Sequence, residues 1–189
     1  MIEQLLNYDS ELFLFLNGFG SETWDGLWLV ITNKLTFIPL YSFLLFLLYK
    51  KYGAKSLLIF IVVVALMITF TDQITNVFKR GFERPRPCGA LEIMDQMRFI
   101  AVRCGKYGFF SGHASNTMAT AIFTGLLLKP YYKNLIFILV FWSVLVAYSR
   151  IYVGVHYPLD IICGMTFGAM SGFLFYKLTK SLLKRFVTS

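Results

Sequence analysis

The sequence predicts an all-α, polytopic transmembrane helical bundle, and three observations lead there. Charged residues make up only 15% of the 189-residue chain, against about 25% in soluble domains. Hydrophobic residues reach 57% and aromatics 18%. The apolar residues gather into uncharged runs close to the ~20 residues that a bilayer-spanning helix needs. No Ser/Pro/Gly-rich linker, repeat or low-complexity tract interrupts them, so one membrane-embedded domain over residues 1–189 is expected.

The elements follow in order. In the first 20 or so residues Leu5, Leu6, Leu12, Phe13, Phe15 and Leu16 are apolar, but Asp9, Glu11, Glu22 and Asp25 break any clean span. This segment reads as an amphipathic helix at the outer interface, with a sixth crossing as the alternative. Its acidic residues also argue against a cleavable signal peptide, which opens with positive charge. The first crossing lies within 26–49, interrupted by Asn33 and Lys34. The second runs over 56–78, the third over 111–128, the fourth over 134–149 and the fifth over 158–176. Pro158 suits the first turn of that last helix, where its missing N–H costs nothing.

Net charge is +8, yet the 18 basic residues fall almost entirely between the apolar runs, so no nucleic-acid partner is expected. Short loops rich in Lys and Arg stay in the cytoplasm. Lys50, Lys51 and Lys55 follow the first crossing, Lys129 and Lys133 the third, and Lys177, Lys180, Lys184 and Arg185 the fifth. All three clusters fall on one face. The opposite face then holds residues 79–110, the turn from Arg150 to Tyr157 and the N-terminal segment. The loop from Lys79 to Lys106 carries seven basic and three acidic residues despite lying outside, which suits recruitment of anionic headgroups. Cys88 and Cys104 bracket that loop and form a candidate disulfide on an oxidising face. Two free thiols are the alternative, and Cys163 reads as a small packing residue.

Three polar patterns stand at the ends of the apolar runs on this outer face: Lys79-x6-Arg86-Pro87, Ser111-Gly112-His113, and Ser149-Arg150-x5-His156-x3-Asp160. A helix opening at Ser111-Gly112 offers backbone N–H groups to an anion. Lys79, Arg86 and Arg150 add fixed positive charge, and the planar fork of Arg pairs with phosphate oxygens. Asp160, four residues after His156, can take one ring N–H and leave the other nitrogen to attack. His113 is then the candidate general acid for the departing oxygen. No carboxylate pair or His/Cys cluster has metal-ligand spacing, so no metal or other cofactor is expected.

These residues resemble the signature of the type 2 phosphatidic acid phosphatase superfamily, which also includes vanadium haloperoxidases. Its patterns are K-x6-R-P, P-S-G-H and S-R-x5-H-x3-D. The first and third match in full, while Phe110 stands where the second has proline. The resemblance spans roughly residues 79–160. It implies a phosphohistidine at His156, with Asp160 as its partner and His113 later activating water. Lys79, Arg86, Ser111, Gly112 and Arg150 would hold the phosphoryl group without a metal. The expected activity is dephosphorylation of a phospholipid or isoprenoid phosphate at the non-cytoplasmic face of a bacterial inner membrane. Undecaprenyl diphosphate, phosphatidylglycerophosphate, phosphatidic acid and a lipid A phosphate are the substrate classes, in that order. A vanadate-dependent haloperoxidase-like enzyme and a lipid flippase or channel with a cationic vestibule are the alternatives. The sequence fixes neither the lipid nor the oligomeric state.

Overall fold

A computed structural model describes residues 1–187. Among them seven α-helices run in the order α1 (Ile2–Gly18), α2 (Glu22–Thr32), α3 (Ile38–Tyr52), α4 (Ala54–Phe82), α5 (Gly112–Leu128), α6 (Leu135–Tyr152) and α7 (Pro158–Phe186). Their starts follow local chemistry. Ser111 caps α5 by accepting the Ala114 N–H. At α7, Pro158 occupies the first turn and the Asp160 carboxylate takes the Tyr157 N–H, closing a capping box.

Helix α5 is the axis of the bundle, packed along α7 and α6 and buried along most of its length. Its closest neighbour is set by three glycines of α7 spaced four apart. A Cβ at Gly164 would lie 2.7 Å from the Ser111 carbonyl oxygen, at Gly168 2.3 Å from that of Ser115, and at Gly172 2.5 Å from that of Ala119. Only hydrogen fits there, so the two backbones touch along three turns, the small-residue packing that membrane helices use. The Ser115 hydroxyl donates to the Gly164 carbonyl at 3.0 Å and locks the register.

The outer helices are turned inside out relative to a soluble fold. Leu58, Val62 and Leu66 of α4, Phe137, Ile138 and Phe141 of α6, and Met170, Phe173 and Leu174 of α7 are all exposed, as lipid contact requires. Helices α4, α6 and α7 are each long and apolar enough to cross a membrane. The segment expected as the first crossing is bent rather than straight. Helices α2 and α3 meet at 63°, because the Asn33 side chain accepts the Leu35 N–H and caps a 3-10 turn, Lys34–Phe37. With that pair counted once, up to four spans meet the length and apolarity that a crossing needs. The third expected crossing, α5, has 17 residues and is sheathed by its neighbours. Helices α4 and α7 run further than the sequence suggests, to Phe82 and Phe186.

Lys51 lies over the rings of Tyr131 and Tyr132, so the α3–α4 and α5–α6 turns share one end of the bundle. At the other end α1 buries a mixed stripe of Asp9, Phe13 and Asn17 and leaves Leu5, Leu12 and Phe15 exposed. The Asn17 amide donates to the carbonyls of Arg98, Ile151 and Tyr152, each at 3.0 Å, and so fastens α1 to the end of α6. Cys88 and Cys104 are disulfide-bonded and close the loop beside them.

Replacing Gly168 with Ala forces α7 away from α5 and should cost about 1–3 kcal/mol, the range for overpacking. Gly26→Ala, whose Cβ would meet nothing within 4 Å, is the control. The expected result is a lower melting temperature in detergent for the first variant and an unchanged or raised one for the second.

Candidate active site

All three sequence patterns converge at the α1 end of the bundle. The close approach of α5 and α7 is what joins two of them: the Ser111 N–H donates to the Asp160 carbonyl at 3.0 Å, so Ser111-Gly112-His113 sits directly against the start of α7. The third is delivered by the loop after α4. Pro85 pairs with Tyr107 in an isolated β-bridge, the Gly108 N–H donates to the Arg84 carbonyl, and Arg86 Nε donates to the Tyr107 carbonyl at 3.0 Å. Phe110, which stands in place of proline, is buried against Phe78 and Phe167 with ring centroids 5.0 and 5.2 Å away. An aromatic cluster thus holds the segment before Ser111.

His156 Nδ1 lies 3.1 Å from Asp160 Oδ2, and both residues are almost fully buried. A carboxylate there accepts the Nδ1 proton, which leaves Nε2 as the nitrogen with a free lone pair. Burial, and then the positive charges of Arg86, Arg150 and Lys79, holds the His156 imidazole well below the ordinary histidine value of 6.5. Its surroundings therefore favour the neutral ring.

A cavity of about 810 Å³ opens beside it. Lys79, Arg86, Arg150, His113, His156 and Gly112 border its polar end. A Cβ at Gly112 would lie 3.7 Å from Lys79 Nζ, which places that ammonium beside the first turn of α5. Arg150 donates to the Thr32 hydroxyl, while its Nε is buried with no partner. A guanidinium N–H of this kind is a strong donor for an anionic oxygen. Ser111 is fully buried, and its hydroxyl caps α5 rather than bordering the cavity. Among the described residues no three His, Cys, Asp or Glu side chains gather as a metal site.

Below that end the cavity follows α4 from Lys79 to Ile61, about 27 Å at 1.5 Å per residue. Leu44, Leu45, Leu48, Val64 and Ile68 give it apolar lining and Asp72, Thr75, Asn76, Asn116 and Thr120 polar lining, the polar residues of α4 lying nearer Lys79. The Asn116 amide donates to Asp72 Oδ1 at 2.8 Å, and its carbonyl accepts from Thr71 at 2.5 Å.

Comparison with known proteins places this architecture. The profile of the PAP2 superfamily matches residues 56–184. This chain belongs to the PAP2 superfamily. It is 36% identical over 188 residues to a protein of Bacteroides thetaiotaomicron named lipid A 4′-phosphatase, an alignment covering 98% of this chain and 83% of that one. A protein of the same name from Porphyromonas gingivalis is 38% identical over 181 residues, covering 93% and 75%. The crystal structure of Aquifex aeolicus LpxE superposes with a TM-score of 0.69 at 25% identity, covering 88% and 93%. The chain is thus a membrane lipid phosphatase, and PAP2 enzymes need no metal.

The structure adds three polar residues to this PAP2 site. Lys34, read in the sequence as an interruption of a span, borders the cavity at the bend after Asn33. Arg84 forms ion pairs with both Asp160 and Asp9, although only Arg86 of the Arg-Pro-Arg-Pro run stood out. The signal was present: in an extended segment residues two apart share a face. Asp9 had no comparable signal, since its partners lie 75 and 150 positions away.

If Arg150 grips a phosphoryl group in this PAP2 protein, Arg150→Ala removes a charge-assisted bond of about 1.5–3 kcal/mol. The inhibition constant for orthovanadate, a phosphate mimic, should rise roughly 10- to 150-fold by the same energy range. Competition assays with a fluorogenic phosphomonoester would measure it.

Proposed function

We propose that the chain removes a phosphate monoester from a saccharolipid of the lipid A class at the non-cytoplasmic face of a bacterial inner membrane. The observation that carries this reading is the polar wall of Asp72, Thr75, Asn76, Asn116 and Thr120 beneath the cationic end of an otherwise apolar cavity. A sugar phosphate carries hydroxyl and amide groups beyond its phosphorus, and each needs a partner once taken from water. Asp72, Thr75, Asn116 and Thr120 already bond to one another or to nearby carbonyls. Their oxygens keep acceptor capacity for sugar hydroxyls and amides, groups that an isoprenoid diphosphate lacks. The names of the relatives point the same way, so the lipid A phosphate moves from last to first among the four substrate classes. The basic clusters at the opposite end support an outward-facing site by the positive-inside tendency. Five crossings result if the bent α2–α3 pair and the short, enclosed α5 both span.

In the proposed mechanism His156 Nε2 attacks phosphorus while the ester oxygen leaves, taking a proton from His113. Asp160 accepts the Nδ1–H and supports the positive ring of the phosphohistidine. Water then attacks phosphorus, gives a proton to His113, and the N–P bond breaks to release inorganic phosphate. Lys79, Arg86, Arg150 and the first turn of α5 bind the phosphoryl oxygens throughout, donors aimed where charge develops.

Phosphate release from the four lipid classes in detergent tests the assignment. Lipid A bearing a 4′-phosphate should show the highest kcat/KM, by at least about tenfold, the effect of 1.4 kcal/mol of recognition. Equal or faster turnover of undecaprenyl diphosphate overturns the substrate class. His156→Ala should abolish release while melting like the wild type, and full activity there refutes the nucleophile. Attack needs the neutral ring, and its pKa lies below the usual 6.5. The acid limb of kcat/KM, corrected for the substrate's own ionisation, should therefore fall below pH 6.5.

A further inference from the structure

Behind the His156–Asp160 pair stands a second carboxylate that no sequence pattern marks. Arg84 Nη1 lies 3.1 Å from Asp160 Oδ1, and its Nη2 lies 2.6 Å from Asp9 Oδ2. The guanidinium also stacks over the Tyr157 ring, with its carbon 4.0 Å from the centroid. Asp9 Oδ1 accepts the Leu159 N–H at 2.8 Å, so α1 caps the first turn of α7. Every oxygen of both carboxylates therefore faces a donor, the pattern of ionised groups. Asp9 is 5% exposed and Asp160 fully buried. Burial raises the Asp9 carboxyl above its ordinary value, with Arg84 and the Leu159 N–H opposing the shift.

Counting charge gives the arrangement a purpose. A lone Arg84 would neutralise Asp160 and cancel the field that His156 needs. With Asp9 present the guanidinium is shared, and its shorter bond goes to Asp9. The set of Asp9, Arg84 and Asp160 carries one net negative charge, which the imidazolium of phosphoryl transfer balances. We infer that Asp9 and Arg84 are positioning residues that fix Asp160 against His156 while keeping it negative enough to stabilise the charged ring. Asp9 acts through Arg84 and touches neither substrate nor phosphorus. The inference rests on His156 being the nucleophile.

Steady-state kinetics in detergent on the preferred lipid phosphate provide the test, with each variant first checked by thermal melting. In Asp9→Asn the whole of Arg84 falls to Asp160, so kcat should drop at least tenfold while KM stays within twofold. The double variant Asp9→Asn/Arg84→Gln removes the excess positive charge and should recover at least fivefold in kcat over the single. Lost packing alone would make the double slower still. Arg84→Lys keeps the charge but cannot reach both carboxylates, and it should lose kcat at constant KM even if the Asp9 variants do not fold. Wild-type kcat in Asp9→Asn or Arg84→Lys, or a folded double variant no faster than the single, overturns the inference. An inactive wild type, or an active His156→Ala, would instead strike at the assignment of the site.

Discussion

The close contact of α5 with α7 is the constraint on which the rest depends. Gly164, Gly168 and Gly172 let the α7 backbone reach the carbonyls of Ser111, Ser115 and Ala119, and the Ser115–Gly164 bond fixes the slide between the helices. Because His113 opens one helix and His156 precedes the other, their relation is set by backbone contact rather than by flexible side chains. Dispersion and geometry must supply this precision, since lipid tails give apolar side chains no incentive to leave them. The two histidines thus stand at the starts of the two most closely packed helices.

On that frame the protein builds an electrostatic gradient. Lys34, Lys79, Arg86 and Arg150 border the cavity, while Asp160 and Asp9 lie behind His156. Positive charge thus lines the cavity and negative charge backs the imidazole. Fixed charges placed this way before substrate arrives need no reorganisation during the reaction, the condition under which they are worth most.

Much of this was legible in the sequence because it is local or periodic. Uncharged runs marked the long helices, and four-residue spacing put Asp160 within reach of His156. The bend at Asn33 was hidden because a capping side chain within an apolar run looks like a tolerated polar residue. The α1 stripe of Asp9, Phe13 and Asn17 was hidden for a related reason. Hydrophobic periodicity assigns the apolar face to the interior, whereas here leucines face outward and a carboxylate faces the bundle. Ion pairs spanning 75 residues, such as Asp9 with Arg84, leave no trace in spacing.

The shortness of α5 has a bearing on what reaches the site. Seventeen residues measure about 25 Å at 1.5 Å each, less than a hydrocarbon core of about 30 Å. Because neighbouring helices enclose α5, protein rather than deformed bilayer makes up the shortfall. The first turn of α5, where Gly112 and His113 border the cavity, is accordingly walled by protein. Whatever reaches it does so through that cavity, whose lining passes from cations to aliphatic side chains. An amphiphile matches that succession of surfaces end to end, whereas a wholly polar ester matches only the cationic part.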